Sequence, residues 1–281
     1  MTKQLKLANM DTEDIEVQLL LEGIYLKYGY DFRRYSRAHM KRRILHRLSL
    51  SGLAHISELQ HHILNDRVYF ETILPDFSIN VTEMFRDPSF FLAIRKEVVP
   101  ALRTYPFIKI WHAGCSTGEE VYSMAILLKE EELYHKTQIY ATDFNESVLS
   151  KAKERIYPIE AIKDYTYNYQ KSGGKSSFSD YYIADYDFAL LDKSLAEKVV
   201  FAEHNLVSDE VFGEMQMIVC RNVMIYFTKE LQNHVIKLFY DSLCYGGYLC
   251  LGSKESIKFS DYEDAFETVS ATQKIYRKRF K

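Results

Sequence analysis

The run His112-Ala113-Gly114-Cys115-Ser116-Thr117-Gly118-Glu119-Glu120 is a turn of small residues leading into a helical pattern, and such a turn lets a ligand approach the backbone closely. It is not the G-x-G-x-x-G of dinucleotide-binding folds, because Gly114 and Gly118 are four apart, and no lysine completes a P-loop. Downstream, Asp143 in Ala141-Thr142-Asp143-Phe144-Asn145 follows an apolar run, where a carboxylate can accept both ribose hydroxyls of an adenosine ligand. Alone, the turn is explained by steric need and Asp143 by helix capping. Together, at consistent positions, they favour a nucleoside-type ligand. Further on stand His204-Asn205-Leu206 and Cys220-Arg221-Asn222-Val223-Met224-Ile225-Tyr226-Phe227. A polar Arg-Asn pair in an apolar segment is costly to bury unless it is hydrogen-bonded or serves a ligand.

These residues need an open parallel sheet, whose strand ends gather ligands where strand order reverses. From Phe107 onward short apolar runs alternate with helical segments, which predicts an α/β sheet with helices on both faces. Strands are expected near 107–111, 138–142, 199–202, 216–220 and 248–251, and helices over 119–131, 147–155 and 228–243. A late strand at 273–277 is expected to enter antiparallel at a sheet edge. Between 165 and 198 a Tyr-, Gly- and Ser-rich stretch, including Gly173-Gly174, interrupts the rhythm and predicts an inserted β-hairpin or small sheet. Before the sheet, residues 11–77 repeat apolar positions at helical spacing, as in Ile15, Leu19, Leu20, Ile56, Leu59 and Ile63. The expected domains are therefore 1–77, helical, and 78–281, containing the sheet, with 165–198 inserted in it.

Within the helical part, the segment from Arg33 to Arg47 places a dense cationic face on one helix, which suits an acidic partner, nucleic acid or plain solvent. The whole-chain net charge of −3 gives no general reason to expect nucleic acid. Cys115, Cys220, Cys244 and Cys250 form no C-x-x-C pair and lack histidines at ligand spacing, so neither a metal site nor a disulfide framework is expected. Residues 1–14 hold no apolar leader, and no run approaches the roughly 18 apolar residues of a membrane span. A soluble, cytoplasmic chain is the expectation.

With Asn80-Val81-Thr82-Glu83-Met84-Phe85-Arg86 added, the motifs carry a resemblance. The chain resembles the chemotaxis receptor methyltransferases, the CheR family, through that segment, Ser116-Thr117-Gly118-Glu119-Glu120-Val121-Tyr122-Ser123, Ala141-Thr142-Asp143 and, most specifically, Cys220 to Phe227. The resemblance implies a protein-glutamate O-methyltransferase: a Rossmann-like domain using S-adenosylmethionine and releasing S-adenosylhomocysteine, an N-terminal all-helical domain, and a small inserted β-subdomain. It implies S-adenosylmethionine contacts at Asn80, Thr82, Arg86, Glu119, Asp143, Asn205, Leu206, Arg221 and Asn222, and an active-site pair of Arg86 and Tyr226. Its implied partner is the cytoplasmic domain of a chemoreceptor, with no nucleic acid and no membrane insertion. Val121 stands where many members have Pro, and the Gly173-Gly174 stretch differs from the insert of members that hold a receptor's C-terminal tail.

Transfer from a sulfonium to a carboxylate cancels two charges and needs no general base, because glutamate is already ionised at neutral pH. Alignment and water exclusion are then the tasks. Arg86 would align the carboxylate, Tyr226 would orient and desolvate it, and Arg37, Arg42 and Arg43 would steer an acidic methylation helix. Two other readings are an RNA or other-protein methyltransferase and a non-catalytic S-adenosylmethionine sensor. The first is disfavoured because Cys220-Arg221-Asn222-Val223 occupies the place where amino-group methyltransferases often carry Asn/Asp-Pro-Pro-Tyr/Phe. An NAD-dependent oxidoreductase lacks its glycine spacing.

Overall fold

The computed structural model describes residues 11–77 and 82–280. Backbone contacts separate Met1–Ile79 with Tyr226–Leu231 from Asn80–Ile225 with Gln232–Lys281.

The first unit is helical. Its helices are α1 (Thr12–Tyr28), α2 (Arg37–Ser51), α3 (Ile56–Asn65) and α4 (Arg67–Phe77). Asp11 caps α1 by accepting from the Asp14 N–H at 2.7 Å, and α1 buries Val17, Leu20, Leu21 and Ile24 at helical spacing. Glu58 reaches back to accept from the Ala54 and His55 N–H groups at the start of α3. Aromatic packing closes the unit: Tyr28 stacks on Phe70 with centroids 4.1 Å apart, and Phe32 on Phe77 at 5.4 Å. The chain returns to this unit at Tyr226–Leu231, where Phe227 forms an antiparallel bridge with Tyr35.

The second unit runs α5 (Pro88–Ala93), a π-helical turn (Ile94–Val98), α6 (Val99–Leu102), β1 (Ile108–Ala113), α7 (Glu119–Glu130), β2 (Thr137–Asp143), α8 (Glu146–Glu154) and β3 (Ile156–Pro158). It continues through α9 (Ile162–Lys171), β4 (Tyr182–Asp185), β5 (Phe188–Leu191), β6 (Val199–Glu203), β7 (Met215–Cys220), α10 (Lys229–Ser242, from Gln232 onward in this unit), β8 (Leu243–Leu251), β9 (Phe266–Ser270) and β10 (Ile275–Lys278). The main sheet has the order β6-β2-β1-β7-β8-β10-β9. Strands β6 to β8 are parallel, and β10 enters antiparallel between β8 and β9. Successive strands leave β1 in one direction to β2 and in the other to β7, so strand order reverses between β1 and β7. The expected Rossmann-like sheet is therefore present, with its switch point at the carboxyl end of β1, where the first motif begins.

Two local expectations need correction. The late strand is not the edge: β9, which alternation did not reveal, lies outside it. The expected insert does hold a β-hairpin, β4-β5, but its residues 165–171 belong to helix α9, because Ile162, Tyr165 and Tyr169 recur at helical spacing and are all buried. Gly174 follows that helix because nothing larger fits: a Cβ there would lie 2.3 Å from Cζ of Tyr169. The small antiparallel sheet, β3-β5-β4, begins earlier than expected, at Ile156.

Candidate cofactor and active site

The loop after β1 and the end of β2 are one assembly. The Gly114 and Cys115 N–H groups donate to the Thr142 carbonyl at 2.8 and 2.9 Å, and the Ser116 N–H donates to Asp143 Oδ2 at 3.0 Å. Asp143 Oδ1 accepts from the Asn145 N–H at 3.1 Å. Burial pushes the Asp143 carboxyl up, while these backbone donors hold it down. The third motif closes against the first, since a Cβ on Gly114 would lie 2.5 Å from Cγ2 of Val223. Around Asp143, two buried polar atoms have no protein partner among the described residues: Ser116 Oγ and Asn145 Nδ2.

Glu119 opens α7 and is buried, with its Oε2 accepting from the Thr117 hydroxyl at 2.7 Å. Burial pushes its carboxyl up to about 7. The small sheet braces this loop, because the Tyr157 hydroxyl on β3 donates to the Thr117 carbonyl at 2.9 Å.

Arg86 sits between Phe85 and Asp87, whose φ angles are 53° and 56°. The Phe85 N–H donates to Ser123 Oγ of α7 at 2.8 Å. Arg221, just after β7, donates from Nη2 to Asp87 Oδ2 at 2.6 Å and from Nη1 to Glu120 Oε2 at 2.8 Å and the Arg86 carbonyl at 3.3 Å. His112 Nδ1 lies 3.1 Å from the other Glu120 oxygen. Of the polar pair noted in the sequence, Arg221 is neutralised by these carboxylates, although its buried Nε has no protein partner among the described residues.

Asn222, with φ 62°, is held through its backbone. Glu255 accepts from the N–H groups of Asn222 (3.0 Å), Val223 (2.9 Å), Ile225 (3.3 Å) and Gly252 (2.6 Å). It therefore shapes the third motif from the loop after β8. Asn205 Oδ1 accepts from the Val207 N–H at 3.0 Å, and the preceding His204 N–H donates to the Asp143 carbonyl at 3.1 Å. Leu206 is buried and Thr82 half-buried, while Asn80 lies outside the described residues.

Tyr226 belongs to the helical unit. Its ring meets that of His39 edge-on at 5.5 Å, and Arg43 Cζ lies 5.1 Å from its centroid. Arg43 also donates to the Asp76 carbonyl at 3.1 Å, burial holds its guanidinium below the usual range, and its buried Nη2 has no protein partner among the described residues. The expected cationic face is narrower than its composition suggests. Lys41 is engaged by Glu13 at 2.6 Å and Asp14 at 2.8 Å, Arg33 by Asp31 at 2.8 Å, and Arg47 by Asp76. Arg37 and Arg42 are exposed, Arg37 donating to the Asp14 carbonyl at 2.8 Å.

Sequence reading did not single out Asp87, His112, Glu120 and Glu255. For Glu120 the signal was its place in the first motif, and for Asp87 a capping position before Pro88. Glu255 offered only its closeness to the end of an expected strand.

Residues 80–275 match the family described as CheR methyltransferase, SAM binding domain, and residues 15–78 its all-alpha domain. A Pseudomonas putida protein named as the methyltransferase Cher3 is 54% identical over 265 residues, covering 94% of this chain and 97% of that one. A protein of Listeria innocua named chemotaxis protein methyltransferase is 29% identical, covering 82% of this chain and 85% of its own length. In an uncharacterized 104.1 kDa protein of Rhodobacter capsulatus, 26% identity takes in 92% of this chain but only 27% of that protein.

Proposed function

The chain belongs to the CheR methyltransferase family and uses S-adenosylmethionine; on that footing we propose that it esterifies glutamate side chains on the cytoplasmic domain of a chemoreceptor, in the cytoplasm, during sensory adaptation. The observation that carries the cofactor side is the cluster around Asp143, where a buried carboxylate stands beside two buried polar atoms, Ser116 Oγ and Asn145 Nδ2, that have no protein partner among the described residues. Such atoms fit a polar nucleoside.

When bound, S-adenosylmethionine supplies an electrophilic methyl on a sulfonium. Asp143 holds ribose hydroxyls, and Glu119 holds a cationic group, which its burial makes an effective but pH-sensitive partner. Thr82, Asn80, Asn205, Leu206 and Asn222 complete the binding set, and Arg221 keeps its unpaired Nε for it. Arg86 aligns the acceptor carboxylate without clamping it, since a tight bidentate pair would quench its nucleophilicity. Tyr226 orients and desolvates, with the Arg43 guanidinium beneath its ring. Arg37 and Arg42 steer the acidic methylation helix. Among the described residues no helix is long and apolar enough to cross a membrane. The small sheet, with Gly173-Gly174 beside it, is the place where a receptor tail would add a strand.

The test is labelled-methyl transfer from S-adenosylmethionine to receptor cytoplasmic fragments, with calorimetry on the cofactor. Base-labile label on glutamates is expected. Tight cofactor binding with no transfer to any fragment would move the acceptor elsewhere or leave a sensor. Absence of cofactor binding would overturn the proposed binding set.

A further inference from the structure

The turn that carries Arg86 is held from outside rather than by its own preferences. Phe85 and Asp87 both occupy left-handed backbone, which a β-carbon disfavours, most of all at the bulky Phe85. Such strain persists only where surrounding structure over-determines it, and it concentrates at functional positions. Here three side chains from distant segments do so: Asn168 of α9 donates to the Met84 carbonyl at 3.2 Å, Ser123 of α7 accepts from Phe85, and Arg221 grips both the Arg86 carbonyl and the Asp87 carboxylate.

Arg221 is itself aimed. Its side chain is 2% exposed, its ring-facing side lies 4.1 Å over Phe90, and its two Nη atoms are divided between Glu120 and the turn. Glu120 is in turn fixed by His112. A buried cation needing only neutralisation would be satisfied by one carboxylate. A planar fork that also reaches a backbone carbonyl sets an orientation, and a lysine could not reproduce it.

We propose that Glu120 and Asp87 are positioning residues for Arg86, acting through the Arg221 guanidinium, which locks the strained turn so that the Arg86 side chain leaves it in one direction. This rests on the reading above, in which Arg86 aligns the acceptor and touches the cofactor. Neither carboxylate needs to meet substrate or cofactor.

A double-mutant cycle separates positioning from mere support. Glu120→Gln and Asp87→Asn are each made alone and with Arg86→Ala, in the full chain. Methyl transfer to a receptor fragment and S-adenosylmethionine affinity by calorimetry are both read. Each single change is expected to lower kcat/KM about 10- to 100-fold, the scale on which small misplacements act. In the Arg86→Ala background each should cost less than about twofold in whichever quantity remains measurable, because the group being positioned is gone. Equal losses in both backgrounds would overturn the proposal. If Arg86→Ala alone leaves turnover and affinity unchanged, the reading of Arg86 fails first, and that outcome is distinct. Should Glu120→Gln fold poorly, Asp87→Asn carries the cycle, since the Asp87 side chain is 44% exposed. Arg221→Lys, which keeps the charge but loses the fork, should resemble Asp87→Asn rather than wild type.

Discussion

The Ser116 N–H donates to Asp143 Oδ2 at 3.0 Å, joining the turn after β1 to the carboxylate at the end of β2. Asp143 accepts backbone donors from Ser116 on Oδ2 and Asn145 on Oδ1, with the Phe144 N–H beside them, and an ionised carboxylate has room for more. One side chain can thus staple the loop and still accept ribose hydroxyls. The two motifs that each looked ambiguous alone in the sequence are one physical object.

Asp143→Asn should therefore fail twice. The amide has a single acceptor oxygen, so at least one of these backbone N–H groups loses its partner, at about 1–3 kcal/mol for a buried group. A lower melting temperature and a loss of S-adenosylmethionine affinity of at least about tenfold are expected together. Thermal melts and calorimetry check both, and unchanged affinity would remove Asp143 from the binding set.

Legibility in the sequence followed periodicity and local motif. The parallel strands and α7 were readable because apolar runs and helical stripes are written in consecutive residues, and the three motifs because they sit at strand ends. Helix α9 was obscured by composition: its tyrosines read as a β-rich insert, although Ile162, Tyr165 and Tyr169 keep helical spacing. Arg221 was legible as an expensive buried charge, but its partners were not. Asp87 and Glu120 meet it, and His112 meets Glu120, only through tertiary contact that no local pattern encodes. The acidic start of α1 likewise takes Lys41 out of the cationic face through tertiary contact.

Glu119 makes a pH prediction. Its folded carboxyl titrates at about 7, above the unfolded value of 4.5, so its contribution to stability is full below about pH 4.5 and is lost as pH rises through 7. The loss amounts to about 3 kcal/mol by linkage, as an order of magnitude. Glu119→Gln stays neutral, so its melting temperature should match wild type near pH 4 and exceed it at pH 8. Cofactor binding should show the converse. Wild-type affinity should rise as pH climbs through 7, while the Gln variant binds weakly and without that rise. A pH-independent wild-type affinity in calorimetry would show that Glu119 does not hold the cation.

Gly174→Ala tests the seating of the insert. The added Cβ would meet the Tyr169 ring at 2.3 to 2.5 Å, and the Tyr169 hydroxyl donates to Glu130, which pairs with Arg95. Overpacking of this kind costs about 1–3 kcal/mol. A lower melting temperature with S-adenosylmethionine affinity within about twofold of wild type is expected, because this network meets the opposite end of α7 from Glu119. A parallel fall in affinity would mean that the insert governs the cofactor loop, for which the Tyr157 contact to Thr117 is the available route.

Cations of α2 should separate into three behaviours. Arg37 and Arg42 are exposed, so reversing both to glutamate should lower kcat/KM for a receptor fragment by about tenfold or more at low salt, with little change in cofactor affinity. That loss should shrink as salt is raised, because steering by exposed charge is screened beyond about 10 Å at 0.1 M. Lys41→Glu would instead set a like charge among Asp11, Glu13 and Asp14, and it should appear mainly as a lower melting temperature. Arg43→Ala removes the cation beneath Tyr226, and its effect on turnover should persist at high salt, because a half-buried guanidinium is poorly screened. Initial rates across a salt series, with melts on each variant, distinguish the three. Identical salt slopes for wild type and the Arg37/Arg42 double reversal would show that this helix does not meet the substrate electrostatically.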